Sequence, residues 1–323
     1  MYNDFFGLRE SPFGLTPDPE FLFLTEQHRD ALAVLTYAIL AHKGIVLLTG
    51  NAGTGKTTLV RRILEHLPES KINFSVVVHP TLAPEEFLEA TLLDFGIEQI
   101  PASKAQRIAA LRSFLWKTHR EGKIAALIVD EAHKLSPEVL EEIRLLGNFE
   151  SASRKLLQII LVGQNELDDM LSSEGLRQFK QRISLRLAIG PLSASEIGGY
   201  IQHRWAKGGG GQLPFSSEAV EGIADASNGL PRVINVICDN ALAQAFGEKL
   251  RTVDFRHVVA ACREMRYPEP KPKQPVVIAP AAPQIQDYFP LKTLERYAIA
   301  EKRPSLLLRL ALRLGFIRRI QTA

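Results

Sequence analysis

Apolar residues fall along this chain in two rhythms. Short continuous apolar runs recur at Gly44–Thr49, Phe74–Val78, Ile124–Val129, Leu156–Val162 and Ser184–Ile189. Between them, apolar positions recur three and four residues apart. One such stretch starts at Thr25 and aligns Ala31, Leu32, Leu35 and Ile39. Others run from Thr58 to Leu64, from Pro84 to about Leu93, over 104–120 with Ile108, Leu111, Leu115 and Trp116 on one face, and from Pro137 to about Asn148. Continuous apolar strands alternating with amphipathic helices predict a parallel sheet covered on both faces. From Ser193 onward only helical spacing remains, at 194–207, 216–226, 231–247 and 254–266. The glycine run Gly208–Gly211 reads as a mobile loop between the first two of these helices.

The flanks are different. Residues 1–25 are aromatic and proline-rich without periodicity, and read as a strap packed on the domain. Seven of the 19 prolines lie in 268–290, an extended linker. The expected organisation is therefore strap 1–25, sheet core 26–192, helical lid 193–267, linker 268–290 and C-terminal tail 291–323.

Charge sharpens that division. The net charge is +3, but the tail alone carries +6, so the rest of the chain is −3 and is no polycation. The two cysteines, Cys238 and Cys262, are too few and too far apart for a disulfide framework, which fits a reducing compartment. The N-terminus has no basic segment followed by an apolar stretch, and no uncharged apolar run approaches the roughly 18 residues of a membrane span. The expected location is cytoplasmic, with peripheral contact at the inner face of the cell membrane through the tail. Around Leu306–Arg319 the tail is apolar with arginines inserted. Three readings stay open for it: an anchor on an anionic membrane surface, a helix docking into a partner, or a helix packed on its own core.

The candidate chemistry begins where the first strand ends. Gly50-Asn51-Ala52-Gly53-Thr54-Gly55-Lys56-Thr57-Thr58 is a phosphate-binding loop between a buried strand and a helix. Its glycines let successive N–H groups point at an anion, and the helix N-terminus adds positive potential. Lys56 is predicted to reach the β- and γ-phosphates of ATP, and the Thr57 hydroxyl to hold Mg²⁺. Asp130, ending the third strand, is the second Mg²⁺ residue, acting through the metal's water shell. Glu131 follows it and is the candidate for orienting the attacking water. His133 is open between contacting phosphate and coupling to a neighbour. After the fourth strand, Gln164 or Asn165 is placed to hydrogen-bond the γ-phosphate or the water. Arg177, Arg182 and Arg186 are candidates for a guanidinium delivered from a neighbouring copy, and Arg232 sits near a lid-helix N-terminus from which it can bend back to the γ-phosphate.

With these parts in order, residues 1 to about 266 resemble AAA+ ATPases of the ExeA/GspA (general secretion pathway protein A) type and those of exosortase and exopolysaccharide loci. The resemblance extends beyond the nucleotide motifs. It includes Phe5-Phe6-Gly7-Leu8, Pro12-Phe13, Thr16-Pro17-Asp18-Pro19, His28-Arg29, Leu161-Val162-Gly163-Gln164 with Glu166-Leu167, and Gly229-Leu230-Pro231-Arg232-Val233-Ile234-Asn235. It implies a P-loop NTPase sheet followed by a small all-α lid. It also implies Gln164 as sensor one, Arg232 as sensor two, and Arg182, with Arg186 second, as the trans-acting arginine. The chain departs from the family at Asn165, where a proline is usual, and at His79, where an asparagine is usual. It also ends in a proline linker and basic tail rather than a membrane span and peptidoglycan-binding domain. The implied function is an oligomeric ring or filament that hydrolyses ATP to remodel or assemble a protein partner of an envelope or export system. Two alternatives remain: a DNA-associated regulator of the transposition type, and a slow nucleotide-gated switch.

Overall fold

The computed structural model describes residues 2–68, 70–78 and 80–271. In chain order the elements are α1 (Asn3–Phe6), α2 (Glu26–Leu40), β1 (Ile45–Gly50), α3 (Lys56–His66), β2 (Ile72–Val77), α4 (Pro84–Asp94), α5 (Lys104–Arg120), β3 (Ile124–Val129), α6 (Pro137–Leu146), β4 (Leu157–Gly163), α7 (Glu166–Leu171), α8 (Arg177–Lys180), β5 (Ile183–Ile189), α9 (Ala194–Lys207), α10 (Ser217–Ser227), α11 (Pro231–Gly247) and α12 (Phe255–Glu264). The five strands form one sheet in the order β2-β3-β4-β1-β5, every pair parallel. The tail and nearly all of the linker lie outside the described residues, as does His79.

The apolar strands are continuous because both sheet faces are buried. In β1, Ile45 and Leu47 point into one core while Val46 and Leu48 point into the other. In β3, Leu127 and Val129 oppose Ala126 and Ile128 in the same way. Helices α4, α5 and α6 cover the first face with Phe87, Leu111 and Ile143. Helices α2 and α3 cover the second with Leu35 and Leu59. Each such side chain contributes about 1.5–3 kcal/mol on burial, so the sandwich rather than helix propensity sets the architecture. Polar caps then fix where helices start: Ser136 accepts from Val139 N–H with Pro137 in the first turn, and Ser193 and Glu196 close a reciprocal box.

A third core belongs to the helices after the sheet, where Ile197, Ile201, Trp205, Ile234, Ile237 and Val258 pack together. The N-terminal strap belongs to this core too: Tyr2, Leu8 and Phe13 are buried in it. Gly208, Gly209 and Gly210 are packed against neighbours, while Gly211 is exposed. Arg9 N–H donates to Gly208 O at 2.8 Å, and a Cβ at Gly210 would lie 2.3 Å from the Trp205 ring nitrogen. Those glycines permit close approach of the strap and the indole.

Candidate nucleotide-binding site

Register brings the site together. Val77 pairs with Val129, Thr49 with Gly163 and Gly50 with Ile189, so the carboxyl ends of the strands share one edge. The loop after β1, the turn after β3 and the turn after β4 all open there, which is where parallel sheets place ligands.

Two loop glycines carry the turn, with Gly53 at φ +79° and Gly55 at φ +96°, a region that side chains disfavour. Lys56 is buried, and its ammonium donates to the carbonyls of Gly50 and Asn51, both at 2.8 Å. Burial lowers its pKa below that of a free lysine, with Glu131 and Asp130 opposing. A desolvated cation whose hydrogen bonds go to two backbone carbonyls suits an incoming phosphate. Thr57 Oγ1 donates to Asp130 Oδ2 at 2.7 Å, joining the loop to the end of β3. A hydroxyl beside a carboxylate is a hard oxygen pair that suits Mg²⁺, which typically takes few protein ligands and keeps waters and phosphate oxygens.

Glu131 has φ +54°, a left-handed conformation unusual for a side-chain-bearing residue and the sort of strain found at functional turns. Its half-exposed carboxylate lines the cleft, 3.3 Å from Lys134 Nζ and 3.5 Å from His133 Nε2. His133 Nδ1 accepts the Gln164 backbone N–H at 3.3 Å, so His133 couples to protein neighbours. Asn165 Nδ2 donates to Asn51 Oδ1 at 2.6 Å, tying the end of β4 to the phosphate loop. Arg232 is brought in by the start of α11, and a Cβ at Gly53 would lie 2.7 Å from its Cβ. Glycine at 53 thus lets the lid helix sit on the loop.

The cleft holds about 300 Å³, and strap residues Gly14–Asp18 and Phe21–Phe23 form one wall. Sequence reasoning packed the strap on the domain without placing it in the cleft, missed Tyr200 and Arg204 of the lid, and had Asn235 only within the family resemblance. It also missed His28, which appeared there only as part of the family resemblance. His28 Nε2–H donates to Thr54 O at 3.1 Å, and its Nδ1 pairs with Thr25 Oγ1 at 2.7 Å, so a neutral imidazole props the loop from behind. Burial lowers the His28 pKa against the effect of that Thr54 bond. The available signal was a histidine one turn after a helix cap, on a face otherwise apolar.

Arg182 and Arg186 lie elsewhere. Ile45 pairs with Ile183, so Arg182 is exposed at the amino edge of the sheet, about 20 Å of strand from its own loop at roughly 3.3 Å per residue. Arg186, in β5, is ion-paired to Asp168 of its own chain.

A family model described as an AAA domain matches residues 39–171. General secretion pathway protein A of Aeromonas hydrophila is 41% identical over 76% of this chain and 45% of its own length. The chain belongs to the AAA+ ATPases of that type. It spans less than half the length of that relative. ATP-dependent target DNA activator B of Escherichia phage D108 is 28% identical over 77% of this chain and 75% of its own length. Among solved structures, the Aeropyrum pernix ORC2 protein in ADPNP and ADP complexes shares the AAA+ fold. Its TM-score is 0.60 and its identity 18%, over 79% of this chain and 71% of that one. Nucleotide binding and ATP hydrolysis are general properties of the AAA+ family. No described helix is long and apolar enough to cross a membrane.

Proposed function

We propose that this chain binds and hydrolyses ATP as an oligomer and uses the cycle to remodel or assemble a protein partner in secretion or exopolysaccharide export. The observation that carries the reading is the Thr57–Asp130 hydrogen bond, which unites the phosphate loop and the acidic turn with Glu131 beside them. In this reading the backbone N–H groups of residues 50–58 and Lys56 bind the phosphates. Thr57, and Asp130 through the metal's water shell, would hold Mg²⁺, which would supply neutralisation of phosphate charge. Glu131 accepts a hydrogen bond from the attacking water, Gln164 contacts the γ-phosphate, and Arg232 does so from the lid of the same copy. Arg182, a full strand away from its own loop, serves the site of the next copy in a ring or filament. Such a molecule works on the cytoplasmic side, with the tail available to an anionic membrane or a partner.

The DNA-activator relative favours a second reading, a DNA-associated regulator, because this chain spans 75% of that protein's length. The test is ATP turnover against protein concentration, with duplex DNA or anionic vesicles added separately. Specific activity should rise with concentration. Glu131→Gln should lose about a hundredfold or more, and Arg182→Ala should be rescued by mixing with Glu131→Gln subunits that supply the arginine. Activity independent of concentration and of Arg182 would refute the trans role. DNA stimulation that falls steeply with salt would select the second reading.

A further inference from the structure

One imidazole joins the turn after β4 to the turn after β3. His133 lies in the short 3-10 turn Ala132–Lys134, two residues past Glu131. Because its Nδ1 accepts the Gln164 backbone N–H, the proton of the neutral ring sits on Nε2. That Nε2 is 3.2 Å from the Gln164 amide nitrogen and 3.5 Å from Glu131 Oε2; two donors do not face each other, so the amide is assigned the flipped orientation, with Oε1 toward the ring. The ring is largely shielded from solvent, with 13% of its side chain exposed. One N–H therefore faces two takers, the Glu131 carboxylate and the Gln164 amide turned oxygen-inward. It cannot serve both at full strength.

The surroundings make that choice consequential. Glu131 is held in a left-handed backbone conformation, so its side chain has a restricted approach to the cleft. Its second tether, Lys134, sits on a half-exposed, flexible side chain 3.3 Å away. Gln164 lines the same cleft as Glu131 and the phosphate loop, and its neighbour Asn165 already holds Asn51 of that loop. The turn at the end of β4 thus touches both the phosphate loop and, through His133, the acidic turn.

We propose that His133 is a positioning residue that passes the engagement of Gln164 to Glu131. With no γ-phosphate, the Gln164 amide competes for the imidazole proton and Glu131 is left to Lys134. When the Gln164 side chain swings off the ring to donate its NH2 to a γ-phosphate oxygen, its Oε1 leaves the imidazole and the Nε2–H is released to one carboxylate oxygen of Glu131. The other oxygen is then oriented to accept from the attacking water. The relay makes water activation conditional on a triphosphate. It rests on the hydrolysis proposed above.

The test compares full-length wild type, His133→Ala, His133→Gln, Gln164→Ala and the double variant His133→Ala/Gln164→Ala. The readouts are steady-state turnover and equilibrium binding of a fluorescent ADP analogue. His133→Ala should lower kcat about tenfold to a hundredfold, the worth of one hydrogen bond to a charged group, with ADP affinity changed less than about twofold. His133→Gln keeps a donor and an acceptor; it should recover turnover to within about threefold of wild type, and it also stands in should the alanine variant not fold. The double variant should lose no more than the worse single one, because both act on one path. A His133→Ala enzyme with wild-type kcat, losses that multiply in the double variant, or a glutamine variant no better than alanine would overturn the relay while leaving hydrolysis intact. A wild type with no turnover at all would refute the hydrolysis reading and the relay with it.

Discussion

Replacing Arg204 with methionine tests whether the strap is a built part of the cleft. Arg204 is buried on α9, and its Nε donates to Pro12 O at 2.6 Å. Weaker contacts reach Gly14 O at 3.4 Å and the Tyr200 hydroxyl at 3.5 Å, and the guanidinium stacks 4.9 Å from the Phe21 ring centroid. The short charge-assisted bond is worth about 1.5–3 kcal/mol and the cation–π contact about 1–2 kcal/mol. Methionine keeps the apolar stem and removes the cost of a desolvated charge, which offsets part of the loss. The expected net destabilisation is about 2 kcal/mol, or roughly 3–4 °C in Tm for a chain of this size. Trp205, buried in the same core and edge-on to Phe6, is the natural reporter. In a Trp116→Phe background its emission should shift to the red below the global transition, and chymotryptic cleavage at Phe13 should accelerate. A Tm within about 1 °C of the parent, with unchanged cleavage and emission, would refute the account of how the strap is held.

Two further outcomes follow from the site. His28, His42 and His203 all have pKa values lowered, in each case chiefly by burial. The unfolded chain then binds more protons than the folded one below about pH 6.5. Their contribution is full above that pH and is lost as pH falls from there through the folded values. Denaturant melts from pH 7.5 to 5 should show falling stability, with a smaller fall in His28→Gln; an unchanged pH slope in that variant would exclude His28 as a contributor. Gly53→Ala combines a left-handed φ with a methyl placed 2.7 Å from Arg232 Cβ. It should cost about 1 kcal/mol or more and weaken ATP more than adenosine; equal weakening of both would remove Arg232 from contact with the phosphates.

The sheet and the heart of the candidate site were legible because they are local. A buried parallel strand shows as an apolar run, and a phosphate loop needs only a strand, a handful of residues and a helix in sequence. Asp130 and Glu131 were legible for the same reason, as polar residues at the end of such a run. Local pattern could also place Gln164 and Asn165 at a strand end, but not say that one would reach His133 and the other Asn51. That Arg182 is remote from its own loop follows from strand register, and Arg186's engagement by Asp168 is a side-chain contact made across 18 residues.

The amino-acid sequence by itself determined the layers, the phosphate loop and the family, since periodicity and turn chemistry are properties of neighbouring residues. Only the tertiary structure decided what closes the cleft. Thr54 meets His28 across 26 residues, Asn51 meets Asn165 across 114, and Arg204 reaches Pro12 across 192. Such contacts depend on the path of the whole chain and on which polar groups burial leaves in need of a partner, and no local period encodes either.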